Sequence, residues 1–332
     1  MQSNQDIFLN DIKLNPQNNI EIEKYIWNKF VLKIIILLPS FCNLCNNKSI
    51  NIYDNNSIYN PYIGKCTNAK CRKMFYLRQG TILGLYPKTP VSTILYIIKM
   101  FILEKKNTNE IYMKIKGAHP NMNISKEKIR EILKSIRLFI AHYIKDSYII
   151  EDISQKNAFQ HFAIDESDFA KIKGNILWVI GIINTHNKLI RLELSYDRTT
   201  EVMKKIVKTH IKTGNIVVTD GWSSYLWISE PYSGYVHSMH NHGAGNFGYG
   251  LDSTSHIEAL WSNLKQIIKN IYYIIPSEDF VLYLGEAEFR RNINKFNDLT
   301  KWNEIIAVIN YIRNIGIDNL YSVEYLEKIT EK

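Results

Sequence analysis

The second half of the chain alternates between short apolar runs and segments in which apolar residues recur every three or four positions. The runs predict strands at Phe162–Ile164, Ile176–Ile183, Leu189–Leu194 and Ile216–Thr219. The helical spacings predict helices over Thr200–Ile211, Ser255–Ile271 and Glu278–Asn292. Three strands, a helix, a strand and further helices predict an α/β domain built on a mixed sheet.

The region from residue 88 to about residue 150 has the apolar spacing of three consecutive helices. The first begins near Pro90, the second covers Asn107–Lys116, and the third begins near Ser125. The third helix is apolar on one side and basic on the other, with Lys126, Lys128, Arg130, Lys134 and Arg137. Three short helices that end in a basic one resemble a helix-turn-helix, in which Lys126, Arg130 and Lys134 contact DNA. The alternative is a helical bundle whose basic side is ordinary solvated surface.

Charge is divided unevenly between the two halves of the 332-residue chain. Residues 1–150 hold 22 Lys and Arg against 10 Asp and Glu, whereas residues 151–332 hold 19 against 22. The net charge is +9 and the pI is about 9.1. A basic first half favours a module that binds a polyanion such as nucleic acid. The alternative is that the basic surface serves solubility alone.

Composition excludes some classes of protein. Apolar residues make up 45% of the chain, which is enough for a buried core. No apolar run reaches the roughly 18 residues that a membrane span requires. The first residues, MQSNQDIFLNDIKLN, lack the basic and apolar regions of a secretory signal. We therefore expect neither a membrane protein nor a secreted protein held together by disulfides.

All four cysteines lie between residues 42 and 71, as the two pairs Cys42-x2-Cys45 and Cys66-x4-Cys71. Two such pairs, each on a tight turn, offer four thiolates for a tetrahedral Zn²⁺ site. That site is expected to be structural, because four cysteines leave no open coordination position. The alternatives are two disulfides or four unrelated thiols, and disulfides are disfavoured where no secretory signal is found.

Three acidic residues stand at positions where their carboxylates can converge. Asp165 and Asp220 each follow a predicted strand, and Glu258 lies in a predicted helix with Trp261 and Lys265 on the same face. Three adjacent carboxylates repel one another unless a cation neutralises them, and hard oxygen ligands select Mg²⁺ or Mn²⁺. Two such ions promote phosphodiester chemistry.

Each of these acids also has an ordinary interpretation. An Asp at a strand end is commonly a turn or cap residue, and Glu258 alone would be an acid on a helix surface. Glu166 and Asp168 lie close to Asp165 in the sequence, so the pattern by itself does not single out Asp165.

Four segments of the second half contain the three candidate acids and a histidine. They are Ala163–Ser167 (AIDES), Val217–Tyr225 (VVTDGWSSY), Val236–Ser238 (VHS) and His256–Lys265 (HIEALWSNLK). In this order they resemble the motifs of a DDE transposase. This set resembles the Merlin-type transposases and their bacterial insertion-sequence relatives, which share the ISXO-like domain. Tyr283–Glu286 and Phe289–Asn292 resemble the closing motif of that domain, and the cysteine ribbon followed by CRKMF resembles the zinc ribbon that precedes it. The resemblance covers roughly residues 40–295.

The resemblance implies an RNase H-like catalytic core of the retroviral integrase type. Asp165, Asp220 and Glu258 match the triad that binds Mg²⁺ or Mn²⁺. Lys265 matches a basic residue seven positions after the last acid, expected to contact a DNA phosphate. His237 matches a histidine common after the second Asp, and it is expected either to orient the nucleophile or DNA in catalysis or to be a structural histidine. Such an enzyme cleaves double-stranded DNA at the terminal inverted repeats of a transposon and joins the freed 3′ end to target DNA. The resemblance also implies a homodimer, because enzymes of this kind act as paired protomers on two transposon ends. It favours a location in the nucleus of a eukaryote, with the cytoplasm of a bacterium as the alternative.

Two features depart from the family pattern. Cys66-x4-Cys71 is wider than the usual second cysteine pair, and Ser253–His256 lacks the asparagine often found before the third acid. Two rival functions stay open, namely a transposase-derived DNA-binding regulator without catalysis and another RNase H-like nuclease. Arg72 and Lys73, which follow the last cysteine, are further candidates for DNA contact.

The expected organisation has five parts. They are an N-terminal extension (1–39), a zinc ribbon (40–82), a helical DNA-binding module (88–150), an RNase H-like catalytic domain (158–295) and a C-terminal helical tail (296–332) that serves packing or dimer formation. Residues 232–250 are rich in Gly, His, Tyr and Asn. We expect a flexible active-site loop that touches DNA there, with metal binding by His237, His240 and His242 as the alternative. Trp222, Tyr225 and Trp261 are expected in the core rather than stacked on bases.

Overall fold

The computed structural model describes residues 9, 12–29, 42, 45, 47, 50–79, 81–147, 159–172, 175–240, 248–272 and 279–315. The described residues fall into two compact units. The first unit contains the described residues up to 143 together with 296–315, and the second contains those between 144 and 295.

A small antiparallel sheet lies in the first unit, between and after the cysteine pairs. Its strands are β1 (Ile50–Asp54), β2 (Tyr62–Cys66) and β3 (Met74–Tyr76), paired in that order. Burial alternates along β2, because successive residues of a strand point to opposite faces. Tyr62, Gly64 and Cys66 are buried, so this face of the sheet packs inward. A Cβ at position 64 would lie 2.5 Å from the Phe75 ring, which explains the glycine.

Helix α1 (Ile20–Ile26) packs near this inner face. Asn19 caps it by accepting a hydrogen bond from the Glu21 backbone N–H at 2.8 Å. Trp27, at its end, is fully buried, and its ring centroid lies 6.2 Å from that of Tyr62. The described part of the N-terminal extension therefore belongs to the same core as the small sheet.

The helical region begins with the short α2 (Ile82–Leu85). It continues with α3 (Val91–Ile102), α4 (Thr108–Ala118) and α5 (Lys126–Ser147), which confirm the three predicted helices. Asn107 and Glu110 form a capping box at the start of α4. Arg137 was expected on the basic side of α5, but it is buried, with its guanidinium carbon 5.1 Å from the Phe101 ring centroid. The long aliphatic stem of arginine makes such packing favourable.

A five-stranded mixed sheet forms the centre of the second unit. Its strands are β4 (His161–Ile172), β5 (Asn175–Asn184), β6 (Ile190–Ser195), β7 (Ile216–Thr219) and β8 (Val236–Met239), in the spatial order β6-β5-β4-β7-β8. The pairs β4–β5 and β5–β6 are antiparallel, whereas β7 runs parallel to both β4 and β8. The predicted α/β class and mixed sheet are confirmed. The pattern of apolar residues did not predict β8, in which no residue is fully buried.

Helices cover both faces of this sheet. Alternate residues of β4 point to opposite sides, so that Ala163 contacts one buried cluster and Phe162 and Ile164 contact another. The first cluster includes apolar residues of α7 (Ser255–Tyr272) and α8 (Phe280–Ile293), and the second includes those of α6 (Thr200–His210) and of a 3₁₀ helix (Ser223–Ser229). A short hairpin, β9 (Gly248–Tyr249) and β10 (Asp252–Ser253), precedes α7.

Side chains of α8 form hydrogen bonds with the backbone of the edge strand β6. The amide of Asn292 donates to the Ile190 carbonyl at 3.0 Å, and its oxygen accepts from the Ile190 N–H at 2.8 Å. Oε2 of Glu288 accepts from the Leu192 N–H at 2.9 Å. These bonds satisfy backbone groups that an edge strand otherwise leaves open to pairing with another chain.

The last described helix, α9 (Asp298–Ile315), belongs to the first unit and contacts α3. Its residues Trp302, Ile305 and Val308 are buried, as a packing helix requires. Residues 316–332 of the predicted tail lie outside the described part of the chain. None of the helices in the described part is both long and apolar enough to cross a membrane.

Candidate active site

Asp165 and Asp220 lie near the end of the parallel pairing between β4 and β7. The last paired residues are Ala163 and Val218, so each aspartate stands two positions after that pair along the chain. Asp165 was expected at the end of a strand, and this is wrong because β4 continues to Ile172 in its longer pairing with β5. It is the shorter β7 that ends here. Both aspartates therefore stand where β4 loses one neighbour and its backbone edge opens.

The two aspartates are close enough to repel each other. The pKa of Asp165 is raised from 3.8 to about 7, chiefly by burial and further by the negative charges of Glu166 and Asp220. A hydrogen bond from Trp261 partly offsets this rise. A carboxylate pair in such surroundings is stabilised by a cation.

Trp261 holds Asp165 in place. Its indole N–H donates to Oδ2 of Asp165 at 2.7 Å, while its ring belongs to the buried cluster between α7 and the sheet. Gly181 lies directly across from Asp165 on β5, and a Cβ there would come within 2.5 Å of the indole ring. The expectation that Trp261 belongs to the core is confirmed, but its bond to Asp165 was not predicted. A lone glycine within the apolar run of β5 was the available signal.

Glu258 lies in the first turn of α7, three residues before Trp261. The spacing places it on the helix face that carries the indole ring. Within the described part of the chain, however, its carboxylate does not join those of Asp165 and Asp220 in a group whose ligand atoms all lie within 4.8 Å of one another. The structure thus brings Asp165 and Asp220 together and places Glu258 one helical turn from Trp261, which hydrogen-bonds to Asp165.

Glu166 forms a second acidic position that the sequence did not single out as a site residue. It accepts hydrogen bonds from the Tyr225 hydroxyl at 2.8 Å and from the Arg198 guanidinium at 3.1 Å. The guanidinium of Arg198 lies between two indole rings, 4.1 Å from the centroid of Trp178 and 4.5 Å from that of Trp222. Burial raises the pKa of Glu166, whereas its two hydrogen bonds lower it. This cluster ties the segment after Asp220 to β4.

A tight turn presents Asp220. Its Oδ1 accepts from the Trp222 N–H at 2.9 Å, and Gly221 adopts a φ of 86°, which favours glycine. His237 lies beside this turn, with Nε2 2.9 Å from Thr219 Oγ1 and Nδ1 2.6 Å from Ser229 Oγ. Burial lowers the pKa of His237. Both ring nitrogens are engaged by hydroxyls, so in this structure His237 supports the strand that leads to Asp220.

Lys265 lies on the outer part of α7, with its ammonium 3.7 Å from Oδ1 of Asp168. Both side chains are at least half exposed, and an ion pair of this kind is weak. Lys265 can therefore exchange Asp168 for another anion at low cost.

The histidine-rich segment is described only in part. His240 lies 3.3 Å from Oδ1 of Asp252 through its Nε2. His242 lies outside the described residues, as do all positions from 241 to 247. The expectation of a flexible loop over residues 232–250 is wrong for Val236–Met239 and Gly248–Tyr249, which form strands β8 and β9. Contact of this segment with DNA stays a prediction.

The four cysteine sulfurs lie within 4.8 Å of one another, close enough to bind one zinc ion. No disulfide joins them, and the Sγ–Sγ distances are 3.7 Å for Cys42–Cys71 and 3.5 Å for Cys45–Cys66. Side-chain amides donate to two of the sulfurs, from Asn47 to Cys66 and from Asn68 to Cys45, each at 3.7 Å. Such N–H groups stabilise thiolates, so the site suits a soft divalent ion.

The other basic candidates lie on the first unit. Arg72 and Lys73 stand in the loop that leads into β3, where both are exposed and Arg72 has a φ of 47°. Lys126, Arg130 and Lys134 are exposed on the first turns of α5. Lys126 lies 5.3 Å from the Tyr112 ring centroid, and Arg130 pairs with Glu127. Their contact with DNA stays a prediction.

Comparison with known proteins gives a family match for part of the chain. Residues 156–292 match the model of the family described as the ISXO2-like transposase domain, which supports a transposase function for the second unit. A search of curated proteins finds no match. Among solved structures, the chain is similar to one in the cryo-EM structure of the simian T-cell lymphotropic virus intasome in complex with the PP2A regulatory subunit B56 gamma. That similarity has 12% identity and a TM-score of 0.31, and it covers 60% of this chain and 69% of the other.

Proposed function

We propose that this chain is a DDE transposase of the Merlin type, with an RNase H-like core that cleaves DNA at transposon ends and joins them to target DNA. The observation that carries the proposal is the proximity of the Asp165 and Asp220 carboxylates, just after the last paired residues of β4 and β7. Both lie inside the segment that matches a transposase family. The sheet order β6-β5-β4-β7-β8, with the first three strands antiparallel, supports the RNase H-like assignment.

The residues at this site fit a hard divalent cation. Asp165 and Asp220 offer carboxylate oxygens in surroundings that penalise two uncompensated negative charges. Together with Glu258 they would hold Mg²⁺ or Mn²⁺, which would activate the attacking oxygen and stabilise the leaving oxygen of a phosphodiester.

The chain's own groups orient the reactants. The Trp261 indole fixes one oxygen of Asp165, and the turn at Gly221 fixes Asp220. Lys265 leaves its weak pair with Asp168 and binds a DNA phosphate as a point charge. Glu166, held by Tyr225 and Arg198, keeps the segment after Asp220 against β4.

The first unit supplies DNA binding in this proposal. Four cysteines hold Zn²⁺, and this stabilises the small sheet as a structural site. Arg72 and Lys73, with Lys126, Arg130 and Lys134 of α5, contact the phosphates of double-stranded DNA at the terminal repeats. Two copies of the chain act as a homodimer on two DNA ends, in the nucleus of a eukaryotic cell or the cytoplasm of a bacterium.

A cleavage and strand-transfer assay tests this proposal. The substrate is the pair of inverted repeats that flank the coding sequence, with Mg²⁺ or Mn²⁺ added, and the variants are Asp220→Asn and Glu258→Gln. Glu230→Gln is the matched control, because Glu230 is exposed and lies outside the site. We expect metal-dependent release of a 3′ hydroxyl and its joining to target DNA, abolished in both variants and retained in the control.

The other outcomes lead to different functions. Tight binding to the repeats without any cleavage would indicate a DNA-binding regulator. Cleavage without joining would indicate another RNase H-like nuclease.

A further inference from the structure

The outer face of the small sheet in the first unit exposes large side chains. The pairing of β1 with β2 and of β2 with β3 places Tyr53, Ile63 and Tyr76 in one row across the three strands. Tyr53 is 45% exposed and Tyr76 is 58% exposed. The neighbouring row contains Asn51, Lys65 and Met74, of which Met74 is 58% exposed.

The rings of Tyr53 and Tyr76 are not part of the buried core of the small sheet. The inner face of the same strands supplies the buried residues Tyr62, Gly64 and Cys66, while the outer residues of β1 and β3 remain in contact with solvent. Exposed aromatic and apolar groups that cluster on one face, rather than scattering singly, mark an interaction surface.

The charge around this face is positive. Between β1 and β3 the solvent-accessible cations are Lys65, Lys70, Arg72 and Lys73, whereas the one acid of this stretch, Asp54, pairs with Lys24 at 2.9 Å. The ammonium of Lys65 lies 5.9 Å from the centroid of the Tyr53 ring. Arg72 and Lys73 precede β3 and are exposed. Flat rings next to cations suit a ligand that is both aromatic and anionic.

We propose that this outer face, formed by Tyr53, Ile63, Lys65, Met74 and Tyr76, binds single-stranded DNA. Unpaired bases stack on the two tyrosine rings, and the phosphates pair with Lys65, Arg72 and Lys73. A duplex uses the faces of its bases for its own stacking, so it offers the rings nothing to stack on. Binding of this kind tolerates any sequence, because every base has a π face. It needs no catalytic cation, and it differs from the proposed duplex binding in the two tyrosine rings, since Arg72 and Lys73 serve phosphates in both.

The test measures fluorescence anisotropy of a labelled single-stranded oligonucleotide, and of the same sequence as a duplex, with the zinc-loaded full chain and no Mg²⁺ or Mn²⁺. The variants are Tyr53→Leu and Tyr76→Leu, which remove the ring, and Tyr53→Phe and Tyr76→Phe, which keep it. Phe159→Leu is the control, since Phe159 is 69% exposed in the second unit and lies outside the segments expected to contact DNA. Zinc content and circular dichroism confirm that each variant is folded.

We expect each leucine variant to bind the single strand about five- to hundredfold more weakly, while its affinity for the duplex changes little. The phenylalanine variants and Phe159→Leu should bind like the wild type. Unchanged single-strand binding in both leucine variants would overturn the proposal, and so would an equal loss for single strand and duplex. A change in sedimentation without a change in DNA binding would also overturn it, because the face would then contact a second copy of the chain. An inactive strand-transfer reaction with intact oligonucleotide binding would count against the proposed function alone.

Discussion

The indole N–H of Trp261 donates to Oδ2 of Asp165 over 2.7 Å and links helix α7 to the centre of the sheet. This bond favours the ionised form of Asp165, whose pKa burial and the neighbouring carboxylates raise to about 7. The state of Asp165 near neutral pH therefore depends on a side chain that the sequence pattern assigned only to packing.

Replacing Trp261 by Phe should shift the acid limb of DNA cleavage to higher pH. The substitution removes the N–H, so the pKa of Asp165 rises further and a higher pH is needed to ionise it. The pH dependence of single-turnover cleavage measures the shift. Phe169→Leu is the control, because Phe169 packs against the Trp261 ring with centroids 5.7 Å apart but makes no bond to Asp165. Equal shifts in both variants would mean that packing alone matters.

Asp165→Asn should stabilise the fold at alkaline pH while abolishing cleavage. Because the pKa of Asp165 is about 7 in the folded chain and 3.8 ordinarily, the folded state holds a proton that the unfolded state has lost between these values. The free energy of unfolding therefore falls as the pH rises through this window. The variant should gain on the order of 2–4 kcal/mol at pH values above about 7 and nothing below about pH 4.

Urea unfolding without added Mg²⁺ or Mn²⁺ measures this gain. Asp168→Asn is the control, since the Asp168 side chain is 69% exposed. A gain that does not depend on pH would contradict the assignment of the raised pKa to Asp165.

Lys265→Ala should weaken DNA binding and lower the slope of log K against log salt concentration by about 1, as the loss of one phosphate contact requires. Asp168→Ala is the matched variant, because it removes the carboxylate that competes for Lys265 and should strengthen binding slightly. Titrations over a range of salt concentrations distinguish the two. An equal loss in both variants would show that the pair serves the fold rather than DNA.

Asn292→Ala should destabilise the second unit by about 2–4 kcal/mol, since it leaves the N–H and the carbonyl of Ile190 without the partners they have now. The adjacent and exposed Arg291→Ala should change the free energy of unfolding by about 0.5 kcal/mol or less. Urea unfolding followed by circular dichroism compares them. Similar values for the two variants would show that water replaces Asn292 at the strand edge.

Asn68→Ala should lower zinc affinity about 10- to 100-fold, because its amide donates to the Cys45 sulfur and its oxygen accepts from the Lys70 N–H at 3.0 Å. Competition with a chromophoric chelator measures the affinity. Asn55→Ala is the control, since that amide donates to the Asn60 carbonyl in the β1–β2 loop. Unchanged affinity in Asn68→Ala would assign the amide to the turn alone.

The sequence predicted the elements that have a continuous apolar run or a regular helical spacing of apolar residues. The strand Ile216–Thr219 has the predicted bounds, and the helix predicted over Ser255–Ile271 is one residue longer, ending at Tyr272. The cysteine spacing likewise predicted one cluster, and the four sulfurs do lie together. In these cases the information is local, because burial of one face or the geometry of one turn fixes the result.

The remaining features depend on contacts between distant residues. Asp165 looked like the end of a strand because its apolar run stops there, yet β4 continues with polar residues that pair with β5. The cluster of Glu166, Arg198 and Tyr225 joins three elements, and no spacing in the sequence indicates it. The same holds for His237, whose two hydroxyl partners come from β7 and from the 3₁₀ helix.

Gly181 and Trp261 have a consequence for how this chain can change over generations. Any side chain at position 181 would enter the space of the indole, and a smaller residue at position 261 would leave Asp165 without its donor. A substitution at position 181 or at position 261 alone would disturb the hydrogen bond between Trp261 and Asp165. We therefore expect related chains that cleave DNA through a residue equivalent to Asp165 to carry the glycine and the tryptophan together.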